Sequence, residues 1–390
     1  MPAKIRGRAV RAALAGPSVT LILVVLAGAL GLNGAEAARN VGCGDTITTD
    51  TTLHHNLTNC PNNGIVVGAN NVTLDLNHHT IDSDGTPAVG CDPDTEFCDI
   101  GVLNDGGDGV TVVHGSVRQF DLGVVVGEAR DNRLLDIAAS SSRFSGMLIF
   151  DLARSTVQNS SVVRNGLHTD QAGISMFSSR RIGILRNSIR DNGDIGLYDE
   201  SLDGSRLIGN TFSSNPEAGA LVNGDGNLVA HNRSHRDGDG VGVGGDDNII
   251  RRNLVTHSTG LGLQVGEGKR NLFANNRVRN AGGLGIDVAS YGPVKNTVVR
   301  RNHIRGAGED GLAVRSVSKT LKGTRVRRNH VSHSGDDGID VDSPSTSLTG
   351  NEANRNSDLG IAAVRGVRAG GGNLAHHNGD PRQCTHIACN

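Results

Sequence analysis

The chain has 390 residues, of which 36% are hydrophobic, only 2% are aromatic and none is tryptophan. This composition excludes a thick core of large side chains, and the 55 glycines disfavour helices. The formal net charge of −2 describes a nearly neutral protein, whose thin core must be built by stacking similar units.

The first 37 residues predict a secretory signal peptide. Four cations precede an apolar run at 19–32, and a small-x-small cleavage site follows at 35–37. An uncleaved membrane anchor is the alternative, but the run is shorter than the roughly 20 residues needed to span a bilayer. Cleavage removes four cations and one anion, so the net charge changes from −2 to about −5. We expect a secreted, periplasmic or cell-surface protein without a transmembrane segment after cleavage.

Six cysteines in an exported chain predict disulfides rather than metal thiolates. They occur as three local pairs: Cys43 with Cys60, Cys91 with Cys98, and Cys384 with Cys389. A zinc site would require CxxC-type spacing or clustered histidines, and neither occurs. The first pair would close an N-terminal cap at 38–64.

Two lines of polar residues recur every roughly 21 to 28 residues, which is typical of a solenoid. The first line contains Asn132, Ser155, Ile182, Ser205, Asn227, Asn248, Asn271, Thr297, Thr324, Thr346 and Asn373. The second line follows five residues later and contains Ser160, Asn187, Asn210, Asn232, Asn253, Asn276, Asn302, Asn329, Asn351 and Asn378. Asparagine suits such corners because it tolerates bent backbone and its amide can hydrogen-bond to the next turn.

Apolar residues at fixed offsets from these lines would stack inward. One column contains Val157, Ile184, Leu207, Val229, Ile250, Phe273, Val299, Val326 and Leu348. A strand led by glycine adds inward pairs such as Leu263 and Val265, with the period of two expected of strands. Three short strands per turn predict an all-β fold, a single-stranded parallel β-helix of about 13 turns, near 60 Å long. A leucine-rich or helical repeat is disfavoured because its leucine spacing and helix formers are missing.

We expect one elongated domain, because each turn depends on its neighbours. The β-helix would span 65–372, with an excursion at about 83–104 and a C-terminal cap at 373–390. Distant turns of a rod cannot touch, which favours disulfides between neighbouring cysteines.

Repeats such as Asn248-Ile-Ile-Arg-Arg-Asn253-Leu-Val, followed by Gly262-Leu-Gln-Val, carry a resemblance. The chain resembles secreted bacterial right-handed parallel β-helix proteins of the pectate-lyase-like superfamily, which have short repeats. Polysaccharide epimerases and nitrous-oxide-reductase accessory proteins share such repeats. The resemblance covers about 65–380 and implies the fold. It implies no single activity, because the family includes lyases, epimerases, hydrolases, adhesins and proteins without known chemistry.

Outward positions of the glycine-led strands become charged in three consecutive turns. The candidate catalytic residues there are Asp287, Arg315, Asp340 and Asp342. The candidate calcium ligands are Asp336, Asp337, Asp340 and Asp342. Such a group can bind calcium, cleave glycosides with paired carboxyls, or remove a proton beside a uronate carboxylate. Alternatively, these charges only keep an exposed strand soluble.

A second group of outward residues is basic. The candidate ligand-binding residues are Arg251, Arg300, Arg301, Arg327 and Arg328. Like charges stacked a few ångströms apart repel, so either solvent screens them or an anionic ligand lies along the rod. A third candidate is Tyr198 with Asp199 and Glu200, because Asp199 occupies an inward column, where an unpartnered carboxyl is costly. It can also mark only a local bulge.

The hypothesis that follows is an exported β-helix that binds an anionic polysaccharide or has a structural role outside the cell. The alternative is a polysaccharide lyase, epimerase or glycoside hydrolase that acts on uronic polysaccharide through the Asp287 cluster. Few aromatics count against a neutral-sugar cleft, and none interleaves with the arginines to stack nucleic-acid bases. We expect a monomer, no certain cofactor, and calcium as the one cofactor that the acidic group could take.

Overall fold

The computed structural model describes residues 41–87, 90–92, 97–167, 171–289, 291–317 and 320–390. The predicted signal peptide lies outside the described residues. The described chain is an all-β parallel solenoid of about 14 turns without a helix, which confirms the predicted fold class and is close to the predicted 13 turns. Each turn adds one strand to each of three parallel sheets.

Sheet 1 contains the glycine-led strands, and each pairs with the strand one turn later. Its strands are Asp45–Ile47, Ile65–Val67, Ile100–Asp105, Leu122–Gly127, Met147–Phe150, Ile174–Phe177, Ile195–Asp199, Ala218–Asn223, Asp239–Gly244, Leu263–Val265, Ile286–Ala289, Leu312–Arg315, Ile339–Val341 and Ile361–Ala363.

Sheets 2 and 3 share two long strands, Thr111–Arg118 and Arg133–Ser140, which bend from one sheet into the other. The other strands of sheet 2 are Thr51–Thr52, Thr73–Asp75, Thr156–Gln158, Gly183–Leu185, Arg206–Ile208, Leu228–Ala230, Ile249–Arg251, Leu272–Ala274, Val298–Arg300, Arg325–Arg327, Ser347–Thr349 and Arg368–Ala369. The other strands of sheet 3 are Leu57–Cys60, Thr80–Ser83, Ser161–Val163, Ser188–Arg190, Thr211–Ser213, Arg233–His235, Leu254–Thr256, Arg277–Arg279, His303–Arg305, His330–Ser332, Glu352–Asn354 and Leu374–His376.

Two small sheets lie at the corner between sheets 1 and 2. They pair Ser179–Arg180 with Leu202–Asp203, and Gly268–Lys269 with Val294–Lys295 and Leu321–Lys322.

The predicted inward columns form the core. Ile250 pairs in register with Val229 and Phe273, and all three are buried. Because one or two thin columns from each sheet fill the coil, no residue larger than phenylalanine is required.

The polar lines form hydrogen-bonded ladders at the corners. The Asn253 side-chain amide donates to the Val229 carbonyl at 2.9 Å and to Asn276 Oδ1 at 3.1 Å. Its own oxygen accepts from the Asn232 backbone N–H at 2.9 Å. Each rung therefore satisfies backbone groups that a bend leaves outside the sheets.

A third ladder lies five residues beyond the second, and the sequence analysis missed it. Asn192 Oδ1 accepts from the Asn165 backbone N–H, and the ladder continues through Asn215 to Asp237.

The predicted register of the last turn is wrong. The prediction places Asn373 in the first line, but its Oδ1 accepts a hydrogen bond from the Asn351 N–H, so Asn373 belongs to the second ladder. Asn378 likewise accepts from Asn356 and belongs to the third. The ladders are five residues apart and turn length varies, so spacing alone could not assign the column.

The three predicted disulfides are present, Cys43–Cys60, Cys91–Cys98 and Cys384–Cys389. Strands Asp45–Ile47 and Leu374–His376 extend the sheets into both predicted caps. The described residues include no helix with the length and apolarity to cross a membrane.

Candidate functional site

The acidic cluster lies on the outer face of sheet 1. Asp287, Ala313 and Asp340 occupy one outward column on three adjacent strands, and Arg315 stands beside Ala289 in the next column. The Arg315 guanidinium reaches back one strand and donates to both Asp287 oxygens, at 3.0 and 2.6 Å. Gln264 Nε2 donates to the same carboxylate at 3.1 Å. Asp287 is fully buried, so this pair neutralises a charge that water cannot reach.

Asp340 lies two strands from Asp287 in the same outward column. Burial, followed by the nearby charges of Asp342, Asp310 and Asp337, raises the pKa of the Asp340 carboxyl to about 7. Burial also raises the pKa of Asp310 and of Asp337 to about 6. This end of the face therefore holds carboxyls that exchange protons close to neutral pH, which is the property required of a general acid or base.

Three carboxylates of this region could hold a metal ion. Ligand atoms of Asp310, Asp336 and Asp337 lie within 4.8 Å of one another. Two of the four predicted calcium ligands, Asp336 and Asp337, belong to this trio, and the sequence analysis did not assign Asp310 to the set. Oxygen donors suit a hard cation such as Ca²⁺. A copper site would favour nitrogen or sulfur ligands, which this trio does not offer.

The predicted basic residues meet at the corner between sheets 2 and 3. Arg300 and Arg327 are neighbours in sheet 2, and Arg301 and Arg328 follow them at the corner with φ of 54° and 55°. A pocket of about 230 Å³ is lined by these four residues and Thr349. Among the described residues, none of the four arginines forms a salt bridge, and Arg327 Nε is buried without a hydrogen-bond partner.

The fifth predicted arginine stands apart from this pocket. Arg251 shares the column, but Ala274 separates it from Arg300. Four of the pocket's five lining residues are therefore among the ligand-binding residues predicted from the sequence, and Thr349 is not.

Histidines extend the basic corner into sheet 3. The His303 and His330 rings stack nearly parallel with centroids 4.7 Å apart. Burial, together with His330 and the arginines 277, 279 and 305, lowers the pKa of His303. On the far side, His330 Nδ1 lies 3.1 Å from a Glu352 oxygen.

Asp199 faces inward, as the sequence predicts, and its carboxyl is fully buried. The backbone N–H groups of Ser201 and Asn223 donate to its two oxygens, each at 3.1 Å. Burial raises the pKa of Asp199 to about 8, since these two bonds only partly offset it. The arrangement closes a bend after the strand and faces the interior, so it offers a ligand no access.

Aromatic residues share the outer face of sheet 1 with the acidic cluster, at the opposite end. Of the nine aromatic residues in the sequence, five lie here: Phe97, Phe144, Phe150, Phe177 and Tyr198. Sequence reasoning missed this group because the residues are up to 101 positions apart and only the register aligns them.

Family comparisons agree with the observed architecture. The family model described as "Right handed beta helix region" matches residues 201–353. The model described as "Periplasmic copper-binding protein (NosD)" matches residues 43–233. The chain is a right-handed parallel β-helix protein. Copper is what that second family is named for, and the carboxylate trio lies outside the residues that this model matches.

Solved structures of the same fold are similar to this β-helix. The periplasmic alginate epimerase AlgG is 16% identical with a TM-score of 0.51, over 80% of this chain and 76% of that chain. The GH136 lacto-N-biosidase from Eubacterium ramulus is 12% identical with a TM-score of 0.50, over 72% of this chain and 63% of that chain. At these identities the similarity shows the fold alone. No curated protein matches the chain in sequence.

Proposed function

We propose that this β-helix protein binds an anionic polysaccharide through the pocket formed by Arg300, Arg301, Arg327 and Arg328. The observation that carries the proposal is one pocket lined by four arginine residues, none of which forms a salt bridge among the described residues. Such charges repel one another, and an anionic ligand relieves that repulsion. The planar guanidinium fork also matches a carboxylate or sulfate group.

A polysaccharide is the ligand class that the fold and the compartment favour. One structural neighbour is named an alginate epimerase, and alginate is a polymer of uronic acids. Three disulfides indicate an oxidising compartment, where such polymers are found. Two adjacent turns repeat the basic corner, at Arg300–Arg301 and at Arg327–Arg328, so a polymer that crosses both can contact several arginines.

Affinity electrophoresis tests this proposal. The mature protein is run in native gels that contain alginate, polygalacturonate, dextran sulfate or neutral dextran. We expect the anionic polymers to retard the wild type and the Arg300→Ser/Arg327→Ser variant to lose that retardation. The matched control is Arg206→Ser/Arg233→Ser, which makes the same charge change at two exposed arginines outside the pocket. Equal migration of the two variants in every gel would contradict the proposal.

Acid–base chemistry at the acidic cluster is the second candidate function. The observation that favours it is the contrast between two carboxyls on one face. Asp287 accepts two hydrogen bonds from Arg315, whereas burial raises the pKa of the Asp340 carboxyl to about 7. A lyase, epimerase or hydrolase needs one group that gives and one that takes a proton.

Turnover assays separate this second function from binding. The protein is incubated with uronic and neutral polysaccharides, with and without calcium, while unsaturated products and reducing ends are measured. Asp340→Asn should abolish turnover and leave gel retardation intact, because the loss falls on the transition state. Turnover that survives Asp340→Asn would rule out this role for the carboxyl.

A further inference from the structure

The outer face of sheet 1 changes character along the rod. Near its N-terminal end, Phe97 from the excursion packs edge-on against Phe144 with centroids 5.1 Å apart, and Leu122 and Leu148 are buried in the same cluster. The excursion is closed by the Cys91–Cys98 disulfide. Phe97 and Phe144 therefore form an apolar edge beside the first turns of this face.

Beyond Phe97 and Phe144, a strip of half-buried aromatic rings extends across adjacent strands of sheet 1. Phe150 pairs with Phe177 on the adjacent strand, and the Phe177 and Tyr198 rings meet edge-on with centroids 6.3 Å apart. Leu221 stands beside Tyr198 on the next strand. The strip is thus continuous over four adjacent strands.

Glycines bracket the aromatic strip at both ends. The Phe150 ring occupies the space that a side chain at Gly127 would need, and the Leu221 side chain leans over Gly242. Gly242 and Gly244 carry no side chain on the outer face and are themselves buried, and a Cβ at Gly242 would meet only the Leu221 side chain. Past this flat section the face reaches Gln264 and Asp287, and the Asp340 carboxyl lies two strands further along.

The distance suits a linear polymer. Counting the strands of Phe150 and Asp340 themselves, this stretch of sheet 1 has nine adjacent strands. Their eight spacings of roughly 4.8 Å give a length of about 38 Å. Aromatic rings present an apolar face that the C–H groups of a sugar ring can cover, while carboxyl oxygens accept hydrogen bonds from sugar hydroxyls.

Charge decides between the possible occupants of this face. Its C-terminal end carries Asp310, Asp337, Asp340 and the exposed Asp342, and Arg315 is already paired with Asp287. Unless a cation neutralises these carboxyls, they repel an anionic polymer or an anionic membrane surface, whereas a neutral polymer meets no such repulsion. A second copy of this chain is disfavoured too, because the rings are half-buried and offer little of the apolar area that a stable dimer needs.

We propose that Phe150, Phe177 and Tyr198 bind the faces of sugar rings in a neutral glycan whose chain continues over Gly242 to the Asp340 carboxyl. The strip is a second glycan surface, on a different sheet from the arginine pocket. It shares with the proposed function only the ligand class, a polysaccharide. The small number of aromatic residues counted against a neutral-sugar cleft, but the fold concentrates most of them on one face.

The composition of the chain supplies a direct probe. The sequence contains no tryptophan and only two tyrosines, Tyr198 and Tyr291. In a Tyr291→Phe background, tyrosine fluorescence therefore reports on Tyr198 alone. This variant is titrated with cellohexaose, laminarihexaose, chitohexaose, mannohexaose and an alginate hexasaccharide, while isothermal calorimetry measures affinity.

We expect at least one neutral hexasaccharide to bind and to change Tyr198 fluorescence. Phe177→Leu, which keeps an apolar side chain but removes the ring, should weaken that binding about tenfold. Arg300→Ser/Arg327→Ser should leave it within about twofold, since these arginines lie on another face. Far-ultraviolet circular dichroism confirms folding, and Phe150→Leu provides a second variant at the same strip.

Three results would overturn the inference: no neutral hexasaccharide binds, binding survives both leucine substitutions, or only the alginate hexasaccharide changes Tyr198 fluorescence. Sedimentation that shows a dimer lost in Phe177→Leu would assign the strip to a second copy instead. Failure of the proposed function has a different signature, because it removes alginate binding and leaves neutral glycan binding untouched.

Discussion

Arg315 holds Asp287 through two hydrogen bonds across adjacent strands of sheet 1, and the Asp287 carboxylate is fully buried. Other arginine–aspartate pairs among the described residues, such as Arg154 with Asp131, leave the aspartate more exposed. The pair holds the Arg315 guanidinium at Asp287, so that this positive charge is not directed at Asp340.

Removing the arginine should be strongly destabilising. Arg315→Met leaves a buried charge without its partner, which costs about 3 to 5 kcal/mol of unfolding free energy. Asp287→Asn/Arg315→Met should lose clearly less, because no charge is left behind. Urea denaturation measures both, with Arg325→Met at an exposed position as the control. Equal losses for the single and double variants would show that the pair is not the cause.

The asparagine ladder should contribute stability at every rung. Asn253→Ala removes the partner of the Val229 carbonyl and of the Asn232 N–H, and each buried group left unpaired costs about 1 to 3 kcal/mol. Asn62→Ala, at an exposed asparagine outside the ladders, is the control and should stay within about 0.5 kcal/mol. Similar urea midpoints for both variants would count against the ladder.

Much of the architecture follows from the sequence because each column repeats. Inward residues such as Ile250 occur at a constant offset, so a single spacing argument assigns them all. The third ladder at Asn192 and the column of Asn373 were missed because three ladders five residues apart look alike when turn length varies.

The candidate sites were less predictable than the fold. Their members come from different turns, and their contacts depend on side-chain direction. The Arg315 side chain reaches back one strand to Asp287, and sequence spacing does not specify that direction. The aromatic strip depends on the register of strands far apart in sequence.

Asp199 should make stability depend on pH. Its pKa is raised to about 8 by burial, above the value of 3.8 for an ordinary aspartate. The folded state therefore binds the proton more tightly, so stability is full at low pH and falls as pH rises towards 8. Asp199→Asn cannot ionise and should flatten the fall in Tm between pH 5 and 8. The nearby charges of Glu200 and Asp203 are the same in the wild type and in Asp199→Asn. If Tm falls equally with pH in both proteins, Asp199 is not the source of the pH dependence.

The histidines beside the arginine pocket should strengthen polyanion binding in acid. The pKa of His303 is lowered by burial and by nearby cations, so its positive charge appears only below the ordinary range. Gel retardation by dextran sulfate, whose charge is constant, should be unchanged between pH 7 and 8 and should increase towards pH 5. His303→Gln should reduce that increase, and an increase of the same size in this variant would show that other groups cause it.

The arginine pocket is tested most directly by calorimetric titration of the mature protein with an alginate hexasaccharide at several salt concentrations. The account predicts measurable affinity at low salt that weakens as salt rises, because exposed charges are screened. It also predicts a loss of at least about tenfold for Arg300→Ser/Arg327→Ser and little change for Arg206→Ser/Arg233→Ser. Affinity that is insensitive to salt, or equal in the wild type and both variants, would contradict it.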